Sequence, residues 1–552
     1  MLFKMKARNA SRISALMQIT SKGWECPYCS KYRTAMVAGL YLSCMARGTL
    51  CAVTHQSSTS DPTARVARNA AAIAIATLLA RGFQFGWAVL LAALIGAEQY
   101  GTWGTIGALL ATAAALPEFG MGLVVLRDVA RQPSDAPRYL TATLAVQPLL
   151  AIGTHAGLIL LSLLLPYDTS FRLLLALAAF SLTVDVFGNI GYNQLLAAEQ
   201  MVTTSAALII HISLQITFAF AVLSSGGGLV GVYLATICAG VFRAVLHMVA
   251  LRRIGVRARL PLDGQVVRRL FGEGWSIALS SFLAYAYQHV DKVLVFTFLG
   301  ERAAGYLTAA FVIVSGVIEL FSVTIFTALF PLMSRMAKES PIALRRAVDQ
   351  FAFLTLVISL PIVIGIAALA GSLATIFFPS FGGTAGVLEV LIWHTALAMV
   401  SNAYAQMLLV EGRQRLLLGV RALGLAVNLV ANLILLPLLN VIGVGVAIFV
   451  AHGAMLAVFM GARGMSRPEW QRLLGQAGRV LLAGALMCLI AFGLRGTQPI
   501  LAGALSLIAY AAALIALRAL DAAHWALIRQ ILGALPFLGK YLARLWQPIS
   551  VP

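Results

Sequence analysis

Charge is what this sequence has least of. Asp, Glu, Lys and Arg supply 11% of its 552 residues, against about 25% in soluble domains, so a soluble globular chain is excluded. Acid is scarcer still: 20 Asp and Glu stand against 40 Lys and Arg, for a formal net charge of +20. The six cysteines are too few and too scattered for a disulfide framework. No Gly-rich phosphate loop and no His-x-x-x-His pair occurs, so nothing supports nucleotide hydrolysis or a helix-borne zinc site.

What is present is apolar. Hydrophobic residues make up 60% of the chain, and mean hydropathy is +0.90. The apolar runs are continuous and near the ~20 residues a spanning helix needs. A β-barrel would alternate instead. The predicted fold is an all-α polytopic membrane protein. From Val66 about fourteen spans are expected, near 69–95, 102–126, 140–165, 173–197, 203–223, 229–250, 274–299, 303–331, 349–370, 385–409, 415–437, 441–462, 477–494 and 499–518.

The basic residues fall in alternate loops. One set holds Arg127, Arg131 and Arg138, then Arg252, Arg253, Arg257, Arg259, Arg268 and Arg269, then Arg335, Lys338, Arg345 and Arg346. It continues with Arg413, Arg415 and Arg421, and with Arg463, Arg467, Arg472 and Arg479. The other set has little beyond Arg172, Arg302 and Arg495. Lys and Arg concentrate in cytoplasmic loops, so both termini are expected in the cytoplasm. The excess positive charge thus reads as topology, with no nucleic-acid partner. After the last span, His524–Trp546 reads as a basic amphipathic segment on the inner leaflet, interrupted by Pro536.

Residues 1–65 are unlike the rest. Cys26 and Cys29 form a CxxC, but neither a redox context nor a second well-spaced ligand pair accompanies them. Val53 is a candidate start, with Thr54–Arg68 as a polar N-terminus.

The two halves resemble each other. A shift of 204 places Leu79-Ala80 on Leu283-Ala284, Gln84 on Gln288, Gly96 on Gly300, Gly101 on Gly305 and Arg131 on Arg335. A shift of 212 places Tyr192, Gln194, Leu196 and Glu199 on Tyr404, Gln406, Leu408 and Glu411. Six spans separate the copies. An even number gives both one orientation and relates them by an axis along the membrane normal. The expected organisation is an N-terminal extension at 1–65, an N-lobe at 66–251 (spans 1–6) and a basic linker at 252–270. A C-lobe at 271–462 (spans 7–12) comes next, then two extra helices and the tail at 463–552.

Several motifs carry a family likeness. They are Gln288-His289-Val290-Asp291-Lys292 with Leu299-Gly300, Ala304-Gly305-Tyr306, Phe330-Pro331-Leu332 before Arg335, and Glu118-Phe119-Gly120 before Leu126-Arg127. Over about residues 65–520 the chain resembles the polysaccharide exporters (Wzx-type O-antigen flippases) of the multidrug/oligosaccharidyl-lipid/polysaccharide superfamily. The resemblance implies two six-helix lobes and a central cavity that opens alternately to each side. It implies an undecaprenyl-diphosphate-linked oligosaccharide as cargo, a bacterial inner-membrane location and a polysaccharide polymerase as a candidate partner. Glu118 stands at the acidic position of the span 2 motif, and residues 1–65 have no counterpart.

Charges inside spans are costly and mark function or pairing. Gln288, Asp291 and Lys292 share one face by their i, i+3, i+4 spacing. Arg81 lies near the middle of span 1 with Gln84 one turn on. A guanidinium there needs an anion, and a diphosphate suits it. Arg81, Gln84, Gln288 and Lys292 are therefore the candidate cargo-binding residues. The competing reading pairs Arg81 permanently with Asp185, Glu118 or Glu319. Asp291 is a candidate to neutralise Lys292 or to carry a coupling cation or proton; Asp185, Glu118 and Glu319 are further candidates for pairing or proton relay. No metal or other cofactor is expected. Arg243 reads as an anchor that snorkels to the inner surface, and His155, His211, His394 and His452 as interhelical hydrogen-bonding groups. Pro117, Pro331, Pro361 and Pro437 are candidate bends.

Three functions compete. A flippase moves a lipid-linked glycan without covalent chemistry, so the chain is not expected to be an enzyme. A cation-coupled drug antiporter of the same superfamily needs a dominant acid where Arg81 stands. A membrane glycosyltransferase or polymerase using the same carrier needs catalytic residues on sizeable external loops, and the external loops here are short.

Overall fold

Gly96 and Gly300 mark the same turn in the two halves. Both adopt an extended backbone at positive φ, with φ 75° and ψ 174° at Gly96 and φ 86° and ψ −179° at Gly300. Only glycine takes that conformation without steric cost. Each ends the first helix of a copy and starts the second, so the shift of 204 read from the sequence reappears as one turn used twice.

The computed structural model describes residues 62–319, 333, 336, 340–494, 499–521 and 524–525. The CxxC at Cys26 and Cys29, Arg335, Pro331 and nearly all of the expected amphipathic tail lie outside these residues. The chain clusters into two units, Met1–Arg68 and Asn69–Pro552, and the second holds the helical bundle.

Among the described residues there is no strand. Helix α1 (Pro62–Ala113) contains the Gly96 break. The short α2 (Ala115–Glu118) and α3 (Met121–Arg131) come next. Helices α4 (Ala136–Leu164), α5 (Thr169–Ala197), α6 (Met201–Ser224) and α7 (Gly228–Arg253) complete the first half. The second half holds α8 (Gly264–Leu299), α9 (Glu301–Ile318), α10 (Pro341–Ala368), α11 (Ala370–Phe377) and α12 (Thr384–Leu391). It ends with α13 (His394–Val410), α14 (Gln414–Leu439) and α15 (Ile442–Arg463). Helices α16 (Arg467–Gly493) and α17 (Pro499–Ala516) pack against α10.

Loop acids start several helices. Asp168 accepts from the backbone N–H groups of Ser170 and Phe171, and Asp263 from those of Gln265 and Val266. Ser466 and Glu469 form a reciprocal capping box. Each satisfies donors that a helix start leaves open.

Among the described residues, eleven helices are long and apolar enough to cross a membrane; hydropathy alone suggested about fourteen. The difference has physical causes. Spans 1 and 2 run together as one 48-residue stretch, Ala71–Glu118. Helix α8 is not in the apolar set, and it carries Glu273, Asp291 and Lys292. The last apolar helix, Leu501–Ala516, is shorter.

The two halves meet along a seam at α1 and α9. A Cβ added to Gly101 would lie 1.9 Å from the Glu301 carbonyl oxygen, and one added to Gly305 would lie 2.0 Å from that of Ala97. These contacts exchange under the shift of 204, so the copies face each other about a pseudo-two-fold axis. A Cβ on Gly104 would meet the Thr308 side chain at 2.3 Å, again at equivalent positions. Beside this contact Tyr100 stacks on Trp103, with centroids 5.3 Å apart, and meets Phe381 edge-on at 5.6 Å. One continuous core therefore contains residues of both halves.

Candidate functional site

Arg81 lies on the half of α1 that runs beside α9. Phe85, one turn on, approaches Gly316 and meets Phe377 edge-on with centroids 5.4 Å apart. The Arg81 guanidinium pairs with Glu319 at 3.0 Å, and the Gln84 carboxamide oxygen is 3.5 Å away. Of the three acids weighed as partners, the structure selects Glu319, in the other half. The pair is accessible, with the Arg81 side chain 53% exposed and that of Glu319 35%.

The polar residues of α8 separate. Gln288 is exposed. The Lys292 ammonium sits over the Phe311 ring, 5.1 Å from its centroid, and makes no ion pair among the described residues. A half-buried ammonium over an aromatic face gains from the ring quadrupole. Asp291 forms no direct ion pair with Lys292 among the described residues. It turns into the second half and is buried. Its Oδ1 accepts from Asn428 at 3.0 Å and from Asn432 at 2.8 Å, and Asn432 also donates to the Asn428 side chain at 2.7 Å. Asp291 Oδ2 and Asn432 Oδ1 have no hydrogen-bond partner among the described residues. Oxygens so enclosed are costly to leave unmatched.

One turn before Asp291, Tyr287 reaches His452 at 2.6 Å, and the His452 and His394 rings lie 5.3 Å apart. This joins α8 to α15 by a hydrogen bond between helices. His211 likewise bonds the Ala239 carbonyl on α7.

Asp185 and Glu118 belong to a different place. With Gln147, Asn189 and Arg243 they line a cavity of about 150 Å³ within the first half. Arg243 does not snorkel. Its Nη2 donates to Asp185 Oδ1 at 2.8 Å, and its side chain is 17% exposed. An internal acid holds it, and no pattern in the sequence signals that Asp185 on α5 faces α7. Glu118 makes no ion pair among the described residues; its carboxylate and Asn193 both crowd Gly122. Asn428 and Asn432 are site residues that sequence reasoning missed. Two asparagines at i, i+4 on an apolar span were the available signal.

Residues 66–337 match the family described as polysaccharide biosynthesis protein. The match covers 272 of the 552 residues, just under half of the chain. Its fold is similar to that of lipid II flippase MurJ in an inward closed conformation, with a TM-score of 0.64 and 14% identity. That match covers 80% of this chain and 97% of the other. An inward-facing multidrug resistance MATE family transporter of the MOP superfamily gives a TM-score of 0.59 at 16% identity, covering 69% and 93%. A MOP superfamily transporter from Pyrococcus furiosus gives 0.54 at 16% identity, covering 73% and 96%. No curated protein sequence matches the chain. The chain is thus a multi-pass membrane protein whose fold is similar to that of these transporters and this flippase.

Proposed function

We propose that the protein is a flippase of a bacterial inner membrane. Its cargo is an undecaprenyl-diphosphate-linked oligosaccharide of O-antigen or capsule synthesis, moved from the cytoplasmic to the outer leaflet by alternating access of two lobes. Both termini and the arginine-rich loops lie in the cytoplasm. No bond is made or broken, and the flipped glycan passes to a polymerase.

The observation that carries this reading is the Arg81–Glu319 pair between the lobes. An ion pair this exposed is worth about 1 kcal/mol or less in water, so a diphosphate, which offers two geometrically matched acceptors to a guanidinium, can displace Glu319. Lys292, which makes no ion pair among the described residues, is the second cation assigned to an anionic head group. A carrier of cationic drugs would need an acid where Arg81 stands. Arg81→Ala should abolish glycan export and leave protein levels in the membrane intact, with lipid-linked repeat units accumulating on the inner leaflet. Normal export by that variant would sink the cargo assignment.

The coupling ion, a proton or a small cation, is assigned to Asp291. Its Oδ2 and the Oδ1 of Asn432 are both buried acceptors with no hydrogen-bond partner among the described residues. Asp291→Asn keeps the shape and removes the charge. Export should then lose its dependence on the ion gradient while residual downhill flipping survives. Gradient-driven export at the parent rate would refute the assignment.

A further inference from the structure

The arginine-rich end of the lobe seam is built differently from the rest. Phe119 (φ 46°) and Gly120 (φ 67°) are both left-handed and turn the chain from α2 into α3. That turn sets backbone on backbone: a Cβ on Gly120 would lie 2.6 Å from the Gly274 carbonyl oxygen, and one on Gly274 would lie 2.3 Å from that of Phe119. The Phe119 and Phe271 rings meet edge-on, centroids 5.1 Å apart.

Four charges close over this contact. Arg127 donates to Asp128 Oδ1 at 2.8 Å and also to Glu273. Arg269 reaches Asp128 Oδ2 at 2.9 Å and Glu273 Oε1 at 3.3 Å. Each carboxylate touches both guanidiniums, and each half supplies one of each. The Tyr139 hydroxyl donates to Asp128 Oδ2 at 2.8 Å and fixes the ring to α4. Burial alone would push the Asp128 carboxyl up, but hydrogen bonds from Arg127 and Tyr139 and the two arginine charges hold it below its ordinary value. Acid is scarce in this chain and basic residues crowd this end, so two acids meeting two arginines between lobes is not explained by topology alone. Arg127, Arg269 and Glu273 stay 40–50% exposed, so water and salt weaken the ring enough for it to open.

We propose that Arg127, Asp128, Arg269 and Glu273 form a latch that closes the cytoplasmic end of the lobe seam, and that its opening admits the cargo. This rests on the alternating-access reading of the function, but its test needs no cargo. Ile277 lies beneath the latch, against Gly120. The full chain, with its six cysteines replaced by serine and one cysteine placed at Ile277, is labelled in inside-out vesicles with a membrane-impermeant maleimide. Arg127→Glu or Glu273→Arg should each raise the labelling rate about tenfold, and the double exchange should return it to within about twofold of the parent. Glu273→Gln, a milder change that keeps the fold if the reversals do not, should raise it about threefold. Single variants that label at the parent rate while retaining parent melting temperatures overturn the proposal, as does a double exchange that labels no more slowly than the singles. A different cargo would alter export but not this labelling pattern, so the latch and the cargo assignment fail separately.

Discussion

The two ends of the lobe seam solve one problem by different chemistry. At the end far from the arginine-rich loops, glycines bring backbones together at Gly101 against Glu301 and Gly305 against Ala97, with Tyr100, Phe378 and Phe381 packed beside them. At the arginine-rich end, the glycine contact of Gly120 and Gly274 is overlaid by four alternating charges. Close packing weakens steeply on opening, because a gap of about 1 Å already forfeits about half of the dispersion well. A ring of half-exposed ions weakens gradually and responds to salt. On the proposed alternating-access reading, the difference makes one end stay shut until the lobes rock as bodies and lets the other be opened by competing charge.

The sharpest way to break this comparison is steric. Gly101→Leu places a side chain where the Glu301 carbonyl already lies. It should reduce export at least about tenfold and expose this end of the seam to an impermeant thiol reagent from outside. Gly107→Leu, on the same helix with nothing within 4 Å of its Cβ, serves as the control. Equal export by the two variants would show that the packed end does not gate. A smaller effect sharpens the comparison. Arg302 pairs with Glu98 at 2.8 Å, but their side chains are 67% and 58% exposed. Arg302→Gln should change export and melting by less than about twofold and about one degree. An export loss as large as that expected of Gly101→Leu would mean that charge, not packing, closes both ends.

Much of the architecture was legible in residue order because it rests on local rules. Gly96 and Gly300 recur at a fixed shift because a left-handed turn admits little else. The run lengths announced helices, and the basic loops announced an end. The charged residues were legible as exceptions but not as partners. Arg81 stood out as an intramembrane cation, yet its choice of Glu319 over Glu118 or Asp185 depends on how two lobes dock. Arg243 was placed near a surface by its distance from the helix end, whereas the angle of α7 about its axis turns it to Asp185. Asp291 and Lys292, adjacent in sequence, part company because successive helix positions point about 100° apart. Asn428 and Asn432 lie more than a hundred residues from the acid they serve, and no periodicity within one helix announces that encounter.

Glu98 and Arg302 are equivalent positions under the internal duplication, separated by 204 residues, and they face each other across the axis. Two identical subunits related by that axis would set like against like there, acid to acid or base to base. Joining the copies into one polypeptide lifts that restriction and lets each side of the seam differentiate on its own.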